Sequence, residues 1–245
     1  MTGPRETPVS VPCGGDHVFG ILTEPAGEPN GAVAVLLWGG GQMPSYGRNQ
    51  VCARLCRRLG EVGYHAVRAD YRGFGDSTGA PPRLRMDDVA LEPLVEGTLA
   101  VLGWLARHGL SRVVPVGSCL GARVALECMP SIPDLAGLVL LAAPAGDYEY
   151  RRLRPVGGPT SGFVAQLTEV VERRLPTLLL YGEQDVFYQD FARARAARLG
   201  ELLAASSDLL TVEVIAGGVH ADPTVANQRA VIDRTCDWLA ARGVS

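Results

Sequence analysis

The 245-residue chain contains no lysine, and all 23 of its basic residues are arginine. This absence excludes Schiff-base chemistry, pyridoxal phosphate anchored on a lysine, and any phosphate-binding loop that depends on a lysine. The 26 acidic residues outnumber the basic ones and give a formal net charge of -3. Because sequence-independent binding of nucleic acid needs a concentrated basic surface, we expect no nucleic-acid partner.

The sequence also lacks a long apolar run and a secretory signal. Its longest apolar stretches, such as 32–38 and 135–145, are shorter than the roughly 18 residues that a membrane helix needs. Residues 1–10 have neither a basic start nor an apolar segment. We therefore expect a cytoplasmic protein without a membrane partner, and the length predicts one α/β domain over residues 1–245. Nothing in the sequence indicates an oligomeric state.

Metal ligands and cofactor fingerprints are scarce as well. None of the six cysteines forms a CxxC pair, and no histidine lies at ligand spacing from Cys52 and Cys56. There is no dinucleotide-binding fingerprint. We expect neither a metal nor a cofactor. Five of the cysteines lie among apolar residues and are predicted to pack in the core as small hydrophobic side chains, which leaves Cys119.

Short apolar runs separated by glycine and proline predict the architecture. Residues 9–12 and 18–23 predict an N-terminal antiparallel hairpin. Further strands are predicted at 32–38, 65–69, 112–116, 137–141, 177–181 and 211–215, and helices at about 49–62, 87–107, 120–129, 161–173, 190–205 and 223–242. Strands that are apolar along their whole length indicate a mostly parallel central sheet flanked by helices on both faces. In such sheets the ligand site lies beyond the carboxyl ends of the strands.

The best candidate for a nucleophile is Cys119, which follows an apolar strand between Gly117 and Gly121. The segment Gly-Ser-Cys-Leu-Gly matches the nucleophile elbow, a tight turn from strand to helix, with cysteine where serine is commoner. A side chain at either glycine would clash with the neighbouring strand or helix. The turn places the thiol at a helix N-terminus, where the partial positive charge favours the thiolate. Taken alone, this pattern is also explained by a structural cysteine.

An acid and a base follow in the chain order that such an elbow predicts. Asp185 comes in a tight turn after one apolar strand, and His220 comes after the next strand. Asp147, after the preceding strand, and Asp222, two residues beyond His220, are competing candidates for the acid. No nucleophile precedes the other three histidines, which we interpret as structural or solvated.

The third component is an oxyanion hole, a pair of N–H groups that stabilise a negatively charged reacting oxygen. Three glycines follow the first long parallel strand, and backbone without side chains allows N–H groups to approach a carbonyl oxygen. Gly40 or Gly41 is predicted to supply one N–H, and Leu120 the other, from the residue after the nucleophile. A flexible turn is the alternative explanation of the glycines.

Taken together, these motifs resemble the α/β-hydrolase superfamily over nearly the whole chain. The stretch 63–79 looks like the strand and glycine-rich loop that many members carry before the elbow. Cysteine as the nucleophile is similar to dienelactone hydrolases and to the much longer polyhydroxyalkanoate synthases, which are acyltransferases. The run 39–79 is also similar to uncharacterised hydrolase-like proteins associated with exosortase gene clusters. Trp38 stands where many members carry a histidine, and we predict a substrate contact there.

The resemblance also implies a lid after the strand that follows the nucleophile helix. Only residues 142–174 are available for a lid and the next helix, so we predict a minimal lid-like segment at about 145–174. The site is then shallow or open, which suits a small ester or lactone, or the end of an acyl chain. Arg151 borders this mouth and is a candidate contact for a carboxylate or for the phosphate of a pantetheine arm. A solvated charged surface explains that arginine as well.

The sequence therefore predicts an α/β-hydrolase fold with a Cys119–His220–Asp185 triad that cleaves a small ester, lactone or thioester through an acyl-cysteine intermediate. An acyltransferase or thioesterase-like enzyme is the first alternative. One thioester exchanges for another with little change in free energy, so coenzyme A or an acyl carrier protein would be a reasonable partner. A noncatalytic ligand-binding protein of the same fold is the second alternative.

Overall fold

The computed structural model describes residues 3–39, 43–81, 91–149, 154–159, 161–196, 198–220 and 224–243. The strands are β1 (Arg5–Cys13), β2 (Asp16–Glu24), β3 (Val33–Leu37), β4 (His65–Ala69), β5 (Val113–Ser118), β6 (Leu138–Leu141), β7 (Gly146–Glu149), β8 (Arg154–Pro159), β9 (Thr177–Gly182) and β10 (Leu210–Ile215). The helices are α1 (Val51–Glu61), α2 (Glu92–Arg107), α3 (Leu120–Cys128), α4 (Ser161–Glu172), α5 (Val186–Arg195), α6 (Arg198–Ala205) and α7 (Val225–Ala241).

Eight strands form one sheet in the order β1-β2-β4-β3-β5-β6-β9-β10. The hairpin β1–β2 is antiparallel, and β2 pairs antiparallel with β4. The pairs from β4 to β10 are all parallel. The predicted mostly parallel sheet with an N-terminal hairpin is therefore confirmed. Its parallel strands all end at the same edge, where the candidate chemistry of the sequence is also located.

Helices cover both faces of the sheet. Side chains of α1 and α7 pack in one apolar cluster, and those of α2 to α6 pack in the other. All five residues of β3 and all four of β6 are buried, because apolar side chains on both faces are covered. None of the helices in the described ranges combines the length and the apolar character that a membrane crossing requires.

Three predicted helices differ from the observed ones. The helix predicted at 87–107 begins at Glu92, and residues 87–90 of that prediction lie outside the described residues. The helix predicted at 49–62 begins at Val51, because Asn49 and Gln50 have φ angles of 49° and 58° and form a 3-10 turn. The helix predicted at 190–205 begins four residues early, at Val186, and is divided into α5 and α6. Gly200 lies so close to the Arg195 carbonyl oxygen that a Cβ would overlap it, and this contact lets α6 fold back against the end of α5.

The predicted lid-like segment at 145–174 has two parts. Its first part forms the two-stranded hairpin β7–β8, and its second part is α4. Phe163, Leu167 and Val170 of α4 are fully buried in the core. The helix is therefore part of the body of the fold, and any lid is confined to residues 145–160.

The contact between α3 and β3 depends on Gly121. A Cβ at this position would overlap the carbonyl oxygen of Leu37, so alanine forces the helix away from the sheet. We expect Gly121→Ala to lower the free energy of unfolding by about 3 kcal/mol, measured by urea denaturation. In Gly103→Ala, the control in the middle of α2, the new methyl group has room, and stability should stay the same or rise by up to about 1 kcal/mol. Equal stability of the two variants would contradict this account.

Candidate active site

Cys119 lies at the tip of a strained turn between β5 and α3. Its φ angle is 54° and its ψ angle is -118°, a conformation that residues with a side chain rarely adopt. Its backbone N–H donates to the carbonyl oxygen of Leu141 at 2.8 Å, which anchors the turn to the next strand. The side chain is 9% exposed. The predicted elbow is therefore present, with the thiol at the N-terminus of α3.

The two elbow glycines have the steric role that the sequence predicts. A Cβ at Gly117 would lie 2.6 Å from the Cα of Ala122, on the first turn of α3. A Cβ at Gly121 would meet the end of β3. Since real Cβ atoms do not come this close to other backbone atoms, only glycine allows the strand, the turn and the helix to pack together.

Asp185 and His220, 35 residues apart in the chain, meet beside the elbow. The Nδ1 atom of His220 lies 3.2 Å and 3.1 Å from the two carboxylate oxygens of Asp185. Asp185 is 2% exposed and also caps α5 by accepting the backbone N–H of Phe187 at 2.9 Å. The ring of Phe187 packs edge-on against the imidazole, with 4.7 Å between ring centroids. The carboxylate and the phenyl ring thus orient the imidazole from two sides.

The third side of the imidazole faces the elbow. Cys119 is close enough to His220 to raise the pKa of the imidazole, and Nε2 is the ring nitrogen that Asp185 leaves available. Burial by itself lowers the pKa of His220. The hydrogen bonds to Asp185 and Cys119 and the negative charge of both partners outweigh burial and raise the pKa to about 10.

Gly39 is the glycine that approaches Cys119 from another strand end in the described part of the chain. A Cβ on Gly39 would lie 2.8 Å from the Cβ of Cys119 and 3.5 Å from the backbone nitrogen of Leu120. The space beside Gly39 is therefore bordered by the sulfur-bearing carbon and by one predicted oxyanion donor. Gly40 and Gly41, the other predicted donors, lie outside the described residues.

Filling the space beside Gly39 should impair catalysis. We expect Gly39→Ala to lower kcat for an activated ester by about 10²-fold, because the methyl group occupies the place of the reacting oxygen and pushes against Cys119. Steady-state hydrolysis of p-nitrophenyl acetate measures the effect. Gly27→Ala, in an open turn where a Cβ meets no atom within 4 Å, is the control. An unchanged kcat in Gly39→Ala would place the oxyanion elsewhere.

The remaining candidates are less well placed. Trp38 is half-buried and packs against the apolar cluster of α1 and α7, so its predicted substrate contact stays a prediction. Arg151 and Asp222 lie outside the described residues, and only the backbone of Asp147 is described, in β7. Asp185 is the carboxylate that is hydrogen-bonded to His220.

Asp70 is a buried acid that shapes the site without facing the sulfur. Its carboxylate accepts the backbone N–H of Ser45 at 2.6 Å and that of Asp76 at 3.0 Å. The first of these residues follows the oxyanion glycines, and the second belongs to the glycine-rich loop after β4. Asp70 therefore holds two loops together at the carboxyl end of the sheet.

The other five cysteines pack in the core, as predicted. All are buried, free thiols. Burial raises the pKa of Cys56, Cys128 and Cys236 to about 12 and raises the pKa of Cys13 and Cys52 as well, so these thiols stay protonated.

Sequence reasoning missed two contributions to the site. Gly39 belongs to the same glycine run as the predicted oxyanion donors Gly40 and Gly41, so the glycine run itself was its sequence signal. Phe187 carries no local signal at all, because its contact with His220 arises only when two separate loops meet.

The elbow, the acid after β9 and the histidine after β10, on a mostly parallel sheet, match the arrangement of residues that is typical of the α/β-hydrolase fold. A comparison with family models agrees. The model of the alpha/beta hydrolase family matches residues 34–243, and the chain belongs to this family.

Individual relatives are distant. The human Protein ABHD12B is 38% identical over 73 residues, which cover 29% of this chain and only 18% of the human protein. The structure is similar to that of a dienelactone hydrolase from Anabaena variabilis ATCC 29413, with a TM-score of 0.68, 17% identity, and coverage of 98% of this chain and 99% of the other. It is also similar to an α/β serine hydrolase without a lid from Xanthomonas campestris, with a TM-score of 0.67, 15% identity, and coverage of 97% and 94%. These likenesses establish the shared fold, whereas the residue at the elbow here is cysteine.

Proposed function

We propose that this protein hydrolyses a small ester, lactone or thioester with Cys119 as the nucleophile. The observation that carries the proposal is the hydrogen bond from His220 to the buried Asp185, beside an elbow whose Cys119 raises the pKa of the same imidazole. A residue held at a positive φ angle beside a histidine is costly to maintain for packing alone. The five other cysteines, whose surroundings keep them protonated, have no such neighbour among the described residues.

In the first step the thiolate of Cys119 attacks the carbonyl carbon of the substrate. A carbon–sulfur bond forms, and the carbonyl oxygen becomes an oxyanion next to the N–H of Leu120 and the backbone of Gly39. When the oxyanion collapses, the bond to the leaving alkoxide or thiolate breaks. The protonated imidazole of His220 gives its proton to that leaving group, and an acyl-cysteine remains.

In the second step His220, now neutral, takes a proton from a water molecule. The resulting hydroxide attacks the acyl-cysteine, the carbon–sulfur bond breaks, and Cys119 leaves as the thiolate that began the cycle. The carboxylate of Asp185 stabilises the positive charge on His220 in both steps. The burial of α4 in the core supports a small substrate, because it shortens the segment that the sequence predicts as a lid.

Acyl transfer is the second candidate, and the identity of the nucleophile favours it. An acyl-cysteine is itself a thioester, so exchange with the thiol of coenzyme A or of an acyl carrier protein changes the free energy little. The same first step then serves both functions, and only the acceptor in the second step differs.

Intact-mass spectrometry tests the proposal. The protein is incubated with p-nitrophenyl acetate or with acetyl-coenzyme A, and its mass is recorded over time. We expect a transient increase of one acetyl group, release of free acetate, and no adduct in Cys119→Ala. Cys13→Ala, which removes a buried thiol outside the site, is the matched control and should behave as the wild type.

Each other outcome has a defined meaning. An adduct that decays only when a thiol, alcohol or amine is added favours acyl transfer over hydrolysis. An adduct that persists in Cys119→Ala disproves the role of this cysteine. If no substrate leaves an adduct and a ligand instead binds unaltered, the noncatalytic alternative replaces both enzymatic functions.

A further inference from the structure

The pairing of His220 with Asp185 depends on two loops that lie side by side. Asp185 ends the three-residue connection between β9 and α5, and His220 lies five residues beyond β10. Because β9 and β10 are parallel neighbours, both loops leave the sheet at the same edge. The distance between the imidazole and the carboxylate is set by how firmly one loop holds the other.

Main-chain contacts hold the beginning and the middle of the loop that follows β10 and carries His220, residues 216–220. The N–H of Glu183 donates to the carbonyl oxygen of Ile215 at 2.9 Å, and the N–H of Gln184 donates to that of Gly218 at 2.8 Å. A Cβ on Gly218 would lie 2.8 Å from the Cα of Gly182, so the two backbones are in direct contact. These contacts do not require a particular side chain at positions 183 and 184.

Gly217, between those two anchor points, is held differently. It has a φ angle of 65°, is exposed, and a Cβ there would meet no atom within 4 Å. It lies in the turn that the Gly218 N–H closes by donating to the Ile215 carbonyl oxygen at 3.1 Å, and a glycine with open space around it retains wide backbone freedom. Its N–H donates to the carboxylate oxygen Oε2 of Glu183 at 2.9 Å. An ionised acceptor makes this a charge-assisted hydrogen bond, which is stronger than a neutral one.

We infer that Glu183 is a positioning residue, whose carboxylate fixes the Gly217 peptide and thereby keeps His220 in register with Asp185. The inference rests on the proposed function only for its effect on rate, since the orientation of the imidazole exists without a substrate. Glu183 touches neither the substrate nor the reacting atoms. It acts through Gly218 and Val219, the two residues that separate Gly217 from His220.

The test compares Glu183→Ala with Glu183→Gln, whose amide oxygen still accepts the Gly217 N–H. Glu201→Ala, which removes an exposed glutamate from α6, controls for the loss of one negative charge. Two quantities are measured: kcat and KM for p-nitrophenyl acetate, and the titration of the His220 ring by NMR, assigned with a His220→Asn variant. Among the residues that the structure describes, the titratable groups that act on this ring are Asp185 and Cys119.

We expect Glu183→Ala to lower kcat by about three- to tenfold with little change in KM, as for the loss of one hydrogen bond. The titration of His220 should move to lower pH, because the ring is less well aligned with Asp185. Glu183→Gln should recover most of the wild-type kcat and most of the wild-type titration midpoint of His220, and Glu201→Ala should match the wild type in both.

Two results would overturn the inference: a wild-type titration of His220 in Glu183→Ala, or a glutamine variant as impaired as the alanine one. The NMR readout separates this inference from the proposed function. If the wild type hydrolyses no ester but the titration still moves in Glu183→Ala and recovers in Glu183→Gln, the positioning role stands and the enzymatic proposal fails.

Discussion

Replacing Cys119 with alanine is expected to lower kcat/KM for p-nitrophenyl acetate by at least about 10³-fold. The variant keeps the backbone N–H groups and the imidazole but has no atom that forms the acyl intermediate. Initial rates at pH 7 measure the loss. Alanine also relieves no strain at the elbow, because it keeps a Cβ at the positive φ angle. A variant with more than about a tenth of the wild-type rate would show that another residue is the nucleophile.

Serine at the same position sharpens this test, because it is the residue that the structural neighbour from Xanthomonas campestris is described as using. A serine hydroxyl must lose its proton to a neutral imidazole. With a pKa of about 10, His220 is neutral in about one molecule in a thousand at pH 7. Removing the sulfur lowers this pKa, so we expect Cys119→Ser to lose about 10²-fold at pH 7 and to recover as the pH rises. Full activity of Cys119→Ser at pH 7 would contradict the proposal that Cys119 reacts as a thiolate.

The second large effect is expected for Asp185→Asn. Burial lowers the pKa of His220, whereas the hydrogen bond and the charge of Asp185 raise it. The neutral amide of the asparagine side chain lacks that charge, so the pKa of His220 falls in the variant. The imidazole of the wild type keeps its proton up to about pH 10 and can protonate the leaving group. We therefore expect the alkaline limb of the kcat/KM profile to lie near pH 10 in the wild type and at lower pH in the variant. The rate itself should fall by about 10²- to 10⁴-fold.

Asparagine is chosen because it keeps the other role of this residue. Asp185 caps α5 through the N–H of Phe187, and asparagine is an equally good cap. The midpoint of urea unfolding should change much less in Asp185→Asn than in Asp185→Ala. If the pH profile of kcat/KM for Asp185→Asn overlays that of the wild type, Asp147 or Asp222 is the acid of the triad instead.

Most of the fold could be predicted from the sequence because each strand of the sheet has a local sequence signal. An apolar run of five or six residues, followed by glycine and then by apolar residues at helical spacing, predicts a strand and a helix wherever it lies in the chain. The strand at 65–69 is observed with the predicted bounds, and the others differ by a few residues at their ends. The division of α5 from α6 was not predictable, because two alanines and an arginine at 196–198 are all good helix formers. The break depends on the contact of Gly200 with Arg195, which exists only in the folded chain.

The candidate site divides in the same way. The sequence alone determined the residue types of the site and their order along the chain, because each residue lies next to its own local signal. These are a cysteine between two glycines, then a carboxylate and a histidine after later strands. Only the tertiary structure decided that Asp185 contacts His220, that Gly39 contacts Cys119, and that Glu183 holds Gly217. These pairs join different strand ends. Their meeting depends on the order β3-β5-β6-β9-β10, which no short stretch of sequence encodes, because strand order follows from the packing of the whole sheet.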